Sequence, residues 1–402
     1  MNFDSDFGNI YDRLYNSHKE LMRYSEYEVF SNKNFEKKCK DNYNSVMRFL
    51  RNITERNFYS IFDDALIFAD SINNNKQLIE ELWGKNKITR LVFGLSQIDI
   101  VNQICTIGRN KGQKYINIEH WTILIYFYFT IKTLAPQYYE FPSNNLFLTI
   151  LNIGDKSNTV LLPQKEEVNE KLLFNGFTTY YRMLFSTAIF SKGKALDFEL
   201  LGNSANLDLD KIKGFLMEFK SLCSLNYDNI MESIVDNPVD HFHGEFVKDR
   251  KEYVYSQSLR LKYDKAYVSF SDLMIGDYFT FKTLIPAINH LSKGNINKET
   301  LTFSRRMDDL IEKSSVNSFV IFGMNIENDQ HVLRNLMLSF YNANQKKPHI
   351  IYCYFNSEEK EEFIKQFSAV ITFSQEVSAY AHKIEVSYIR TQDILKEYFY
   401  KG

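Results

Sequence analysis

Two short segments of this 402-residue chain hold residue types that could do chemistry together. The first is Leu225-Asn226-Tyr227-Asp228, at the end of the apolar run 221–226 that predicts a strand. The second, Asp240-His241-Phe242-His243-Gly244, begins twelve residues after Asp228. Ligands of parallel sheets sit outside the carboxyl ends of strands, so Asn226 and Asp228 would stand at such an edge. An amide there can both donate to and accept from a sugar hydroxyl or a water. A carboxylate two residues on can orient a neighbour. The imidazole of His243 can act as a general base near neutral pH, and Gly244 after it permits close backbone approach. Plainer uses exist for the same residues. Asn-Tyr-Asp after a strand also suits a turn that caps the next helix. His241 and His243, two apart, would suit a metal pair, but the sequence offers no obvious third ligand and no metal is expected. His290, His331, His349 and His382 have no companions and read as ordinary histidines.

Several chemistries are excluded by spacing. No two of the 15 glycines are separated by a single residue, so there is no GxGxxG fingerprint and no Walker A loop. HExxH, GxSxG and EF-hand patterns are absent too. The four cysteines (Cys39, Cys105, Cys223, Cys353) form no CxxC, which excludes zinc ribbons and thioredoxin-like sites and suits a reducing, cytoplasmic setting. Net charge is −2, so no global field attracts nucleic acid or an anionic membrane. The start of the chain lacks the basic residues and apolar run of a signal peptide. The most apolar stretch, 121–131, is interrupted by Lys132 and predicts a buried helix, since a span needs about 20 residues.

The elements that must position these residues read in two blocks. In 34–53, Phe35, Cys39, Tyr43, Val46, Leu50 and Ile53 recur every three or four residues, one face of a helix. Phe58, Phe62, Ala65 and Ala69 continue the pattern, as do Leu78, Ile79 and Leu82. Prolines and a glycine punctuate 136–165, where the run LFLTIL suggests either a boundary or a small strand pair. Helix is expected again over 166–220. Beyond it, 252–256 and 259–270 suggest a hairpin turning near Tyr263–Lys265. The runs 318–323 and 349–355 are apolar and β-branched, with a helix at 329–343 between them. A charged helix at 357–367 and strands at 369–373 and 384–389 follow. Strand, helix, strand with fully apolar strands predicts an α/β domain with a doubly wound, mostly parallel sheet.

The combination resembles a family. Strand-Asn226-Tyr227-Asp228, then His243-Gly244, then Ile321-Phe322-Gly323-Met324-Asn325 with Asp329 behind it, is similar to the sirtuin-like domains of bacterial anti-phage defence proteins, the abortive-infection AbiH group among them. Those typically carry Asn-Tyr-Asp after a strand, a downstream His-Gly, and a later Gly-x-Ser-Leu with a trailing Asp. Here Asn325-Ile326 replaces Ser-Leu. The resemblance is good over 220–390, patchy over 1–70 and absent between, and each motif is short. It implies a Rossmann-like, mostly parallel sheet with a large helical insertion or subdomain: 1–33 as a remnant of the start of the core, 34–215 mainly helical, 216–402 the sirtuin-like α/β domain. The family opens with a glycine loop that cradles the NAD pyrophosphate. Met1 stands where that loop should just have ended, so the resemblance implies either a missing first segment or a lost loop.

Sirtuin-like domains cleave the nicotinamide–ribose bond of NAD, here the expected substrate. The resemblance implies that Asn226 holds the ribose or the water, His243 is the base and Asp228 orients the site. Gly244, Gly323, Met324, Asn325 and Asp329 would contact the nucleotide. NAD depletion on infection would need control, which implies a homo-oligomer or a partner defence protein, with no nucleic-acid or membrane contact. Two alternatives stay open. One is a non-catalytic nucleotide-binding or interaction subunit on the same scaffold. The other is an unrelated α/β hydrolase or nuclease, although the charged run 305–312 reads as a solvated helix face.

Overall fold

The computed structural model describes residues 45–46, 48–49, 52–91, 95–157, 206–244, 260–263, 266–269, 277–278, 306–313, 315–326, 329–372 and 375–402. Residues 1–33, most of the expected helix 34–53, the segment 166–205 and residues 252–256 of the expected hairpin lie outside this set. The chain divides into two compact units, one drawn from 1–192, 248–253 and 271–292, the other from 193–247, 254–270 and 293–402.

The described part of the first unit is helical. Its helices are α1 (Glu55–Asn73), α2 (Lys76–Gly84), α3 (Gln97–Asn110), α4 (Thr122–Leu134) and α5 (Leu146–Ser157). Each start has a chemical cause. The Thr54 side chain accepts from Asn57 N–H, and the Asn75 side chain from Leu78 N–H. Ser96 and Asp99 form a reciprocal capping box on α3. Every residue of α4 from Thr122 to Ile131 is buried, as a helix apolar all round must be. No helix among the described residues is long and apolar enough to cross a membrane. The LFLTIL run is helical, not a strand. Asn145 accepts from Leu148 N–H at the start, and Phe147, Ile150 and Leu151 recur at helical spacing and are buried.

His120 is buried just ahead of α4, edge-on to Tyr278, and its Nδ1 finds no partner among the described residues. Burial lowers its pKa from 6.5 to about 4. The unfolded chain therefore takes up a proton below pH 6.5 that the folded chain refuses. Stability from this group is complete above 6.5, falls as the pH drops towards about 4, and is flat below. The whole change is about 3–4 kcal/mol, at about 1.4 kcal/mol for each pH unit between 6.5 and about 4. Urea unfolding of the full chain across that window should lose this share of its pH dependence in His120→Leu.

The second unit mixes helices with small, mostly parallel sheets. Helix α6 (Leu209–Met217) leads into β1 (Leu222–Ser224), α7 (Ile230–Ile234) and β2 (Val239–His241). Strands β1 and β2 pair in parallel, Leu222 opposite Val239 and Ser224 opposite His241. Leu222, Val235 and Val239 form the small core beneath them. Strands β3 (Arg260–Tyr263) and β4 (Ala266–Ser269) make the expected antiparallel hairpin. Helix α8 (Arg306–Lys313) buries Met307, Leu310 and Ile311 and leaves Glu312 exposed, an amphipathic helix as its charges suggest.

The second parallel sheet is built from β5 (Ser318–Phe322), β6 (His349–Tyr354) and β7 (Glu385–Arg390), with β6 in the centre. Helix α9 (Gln330–Asn342) connects β5 to β6. Helices α10 (Ser357–Ile371) and α11 (Gln375–Ala381) connect β6 to β7, and α12 (Thr391–Ile394) follows. Of the strand expected at 369–373, residues 369–371 are instead the end of α10 and Thr372 caps it, while residue 373 lies outside the described residues. Phe363, Gln366 and Val370 recur every three or four residues and are buried, so the helical face continues through Val370. His349 and Ser387 are hydrogen-bonded across β6 and β7 at 2.8 Å, a structural role of the kind expected for a lone histidine.

Candidate functional site

Because β1 and β2 are parallel and in register, the segments that follow them emerge at the same sheet edge. The Phe242 amide donates to the Ser224 carbonyl at 3.0 Å, extending the ladder one residue past β2. Asn226 is exposed just beyond β1, its amide donating to Ser224 Oγ at 3.1 Å. His241 is fully buried and faces back towards β1. Its Nδ1 donates to the Asn226 carbonyl at 2.8 Å, and its Nε2 meets Glu232 Oε1 at 2.6 Å. His241 thus clamps the backbone that carries Asn226 against α7.

Asp228 takes the turn-forming option. Its Oδ1 accepts from the Ile230 amide at 3.0 Å, an Asx turn that opens α7. Burial raises its pKa, partly offset by the Ile230 hydrogen bond and by His241.

His243 points elsewhere. Residues two apart share a face only while the strand persists, and β2 ends at His241. The Gly244 amide bonds back to the His241 carbonyl at 3.0 Å, and Gly244 has a φ of 88°. This tight turn, open to glycine at no steric cost, swings the His243 ring out of register with His241. Its Nε2 lies 3.0 Å from His331 Nε2 and 3.6 Å from Asp329 Oδ1. The two rings are within 22° of parallel, with centroids 5.1 Å apart. Burial lowers the His243 pKa to about 4 and is the largest cause lowering that of His331 well below 6.5. Burial therefore favours the neutral form of both imidazoles, with the Asp329 carboxyl group beside them.

The other half of this contact comes from β5 and α9. Strand β5 stops at Gly323, which has a φ of 70°. Met324 is half-buried and Asn325 exposed; the Asn325 carbonyl accepts from the Asp329 amide at 3.1 Å. Asp329 occupies the N-cap position of α9 without its side chain capping the helix, and the carboxylate approaches His243 instead. His331 sits in the first turn of α9. A Cβ added at Gly323 would meet nothing within 4 Å, so glycine is required there for its dihedral and not for space. Gly323→Ala should destabilise the second unit by about 1–2 kcal/mol, measured as a shift of the urea midpoint with unchanged slope.

The structure joins the two sequence segments through His241 and brings His243 to Asp329 and His331. It places Asn226 at the neighbouring strand end, and Gly323, Met324 and Asn325 on the loop leading to Asp329. Asp228 is engaged with its own turn. His331, read from the sequence as ordinary, is a direct neighbour of His243. The available signal was its position: Asp329-x-His331 opens a helix that follows a candidate ligand-binding strand end, as His241-x-His243 follows another. Comparison with known proteins returns no matching family model, no similar curated protein and no similar solved structure.

Proposed function

We propose that the second unit is a Rossmann-like, sirtuin-like hydrolase that cleaves the nicotinamide–ribose bond of NAD in anti-phage defence. The observation that carries this reading is the approach of Asp329 to His243 at 3.6 Å, with Asn226 at the adjoining strand end. In this reading Asn226, His243 and Asp329, residues of three separate sequence motifs, would serve one substrate.

The chemistry needs little more than this set. Nicotinamide leaves easily because departure neutralises its pyridinium charge. The ribose then resembles an oxocarbenium ion, electrophilic enough that water needs only modest activation. Asn226, exposed, would hold a ribose hydroxyl or the attacking water. Of two neutral imidazoles joined Nε2 to Nε2, one donates and the other accepts, so the pair retains capacity for one further proton. His243, with His331 behind it, would take the proton of the water. Asp329 would stabilise the cation so formed, as the carboxylate of a catalytic triad does. His241 would act as a positioning residue through the Asn226 backbone.

The test is NAD consumption by the purified full chain, compared with Asn226→Ala and His243→Ala. Loss of turnover in both, with unchanged circular dichroism, supports the reading. Unchanged turnover in both overturns it. The engagement of Asp228 by the Ile230 amide favours one second reading, a non-catalytic nucleotide-binding subunit. NAD binding without turnover by the unaltered chain would select it.

A further inference from the structure

We propose that His243, Asp329 and His331 form a binding site for a zinc-class divalent transition-metal ion. One ligand atom from each, two imidazole nitrogens and a carboxylate oxygen, lies within 4.8 Å of the other two. The Nε2 atoms of the two histidines are 3.0 Å apart, and Asp329 Oδ1 is 3.6 Å from that of His243. In a tetrahedral zinc site with Zn–N bonds of about 2.0–2.1 Å, neighbouring ligand atoms are about 3.3 Å apart. These two separations bracket that value, and the third is no more than 4.8 Å, so the three side chains can close on one ion.

The chemistry of the donors points the same way. Three electron-pair donors face one another. A divalent cation would take one electron pair from each. Side chains of His243 and Asp329 are only 10% and 16% exposed, so the ion would bind largely desolvated and the attraction would be strong. Arg334, one turn along α9 from His331, opposes a cation, and a carboxylate ligand from Asp329 would offset it. Two imidazoles with one carboxylate suit zinc, cobalt, nickel or ferrous iron. Magnesium and calcium prefer oxygen ligands. Three protein ligands leave a fourth position for water or a substrate oxygen, the pattern of catalytic and not structural zinc sites. The ligands also have distinct structural origins: the turn after β2 for one, the first turn of α9 and its cap for the others. Metal binding would thus tie the β1–β2 pair to the β5–α9 connection within the second unit.

With the ion bound, His243 would be a ligand and a metal-bound water the nucleophile, in place of His243 as the base; the site does not depend on NAD being the substrate, and its test does not read NAD. The full chain, dialysed against chelator, is titrated with Zn2+ in competition with a chromophoric chelator, and with Co2+ followed by its visible absorption. The expected result is one Zn2+ per chain with sub-micromolar affinity and a Co2+ spectrum of four-coordinate intensity. His331→Ala should weaken Zn2+ binding by at least about 100-fold. His331→Cys, which keeps a ligating atom on the same turn, should bind more tightly than His331→Ala. The inference is overturned if the unaltered chain binds neither ion, or if His331→Ala binds Zn2+ with unchanged affinity.

Discussion

Replacing His243 with alanine is expected to slow NAD loss by about 10²- to 10⁴-fold, the usual contribution of a positioned acid–base group. The argument starts from its surroundings. The ring is enclosed, neutral at pH 7, and placed 3.6 Å from a carboxylate. Removing it deletes the proton acceptor and leaves Asp329 beside His331 alone. Asn226→Ala acts on a different part of the reaction. An exposed amide at the end of β1 can be lost with little effect on packing, so its defect should appear in turnover and not in stability. His241→Ala offers a contrasting pattern. Its ring holds the Asn226 carbonyl and Glu232, so its loss should reduce both turnover and stability. A progress curve of NAD at saturating substrate, taken with a urea unfolding curve for each variant, separates the three. Loss of stability in Asn226→Ala would contradict the placement of that side chain at an open edge.

The largest stability effect is expected from Phe363→Ala, at about 3–5 kcal/mol. Phe363 is fully buried on the inner face of α10. Its ring stacks on Tyr352 of the central strand β6 at 3.9 Å between centroids and 18° between planes, and meets Tyr388 of β7 edge-on. One side chain therefore joins a helix to two adjacent strands. Truncation loses its transfer energy and leaves a cavity bounded by strands whose backbones are fixed by the ladder. Phe363→Leu refills part of that volume and should recover a share of the loss. Equal unfolding midpoints for Phe363→Ala and the unaltered chain would show that α10 does not pack as described.

How much of this was legible beforehand differs by element. Strands β5, β6 and β7 and helices α9 and α10 were readable because each is long enough to display its period. The run 369–373 misled because Val370, Ile371 and Thr372 are consecutive β-branched residues, which read as strand in isolation. Only the register with Phe363 and Gln366 shows the first two to be helical. LFLTIL misled likewise, since five apolar residues and one threonine fit either period until Asn145 caps the first turn. The site was legible as two short motifs, and their adjacency follows from a parallel β1–β2 pair. The partner of His243 was not. A lone histidine 88 residues downstream carries no mark of proximity.

Sequence alone determined the residue types, the helical and strand periods and the exclusion of glycine-loop and cysteine-metal chemistry, because these depend on neighbours within a few positions. Tertiary structure decided which imidazole faces which carboxylate. That choice rests on where β2 ends, on a glycine turn at 244 that rotates one histidine away from the other, and on the first turn of α9, which brings Asp329 and His331 to meet it. Such convergence is a property of distances between chain segments, and no local pattern encodes it.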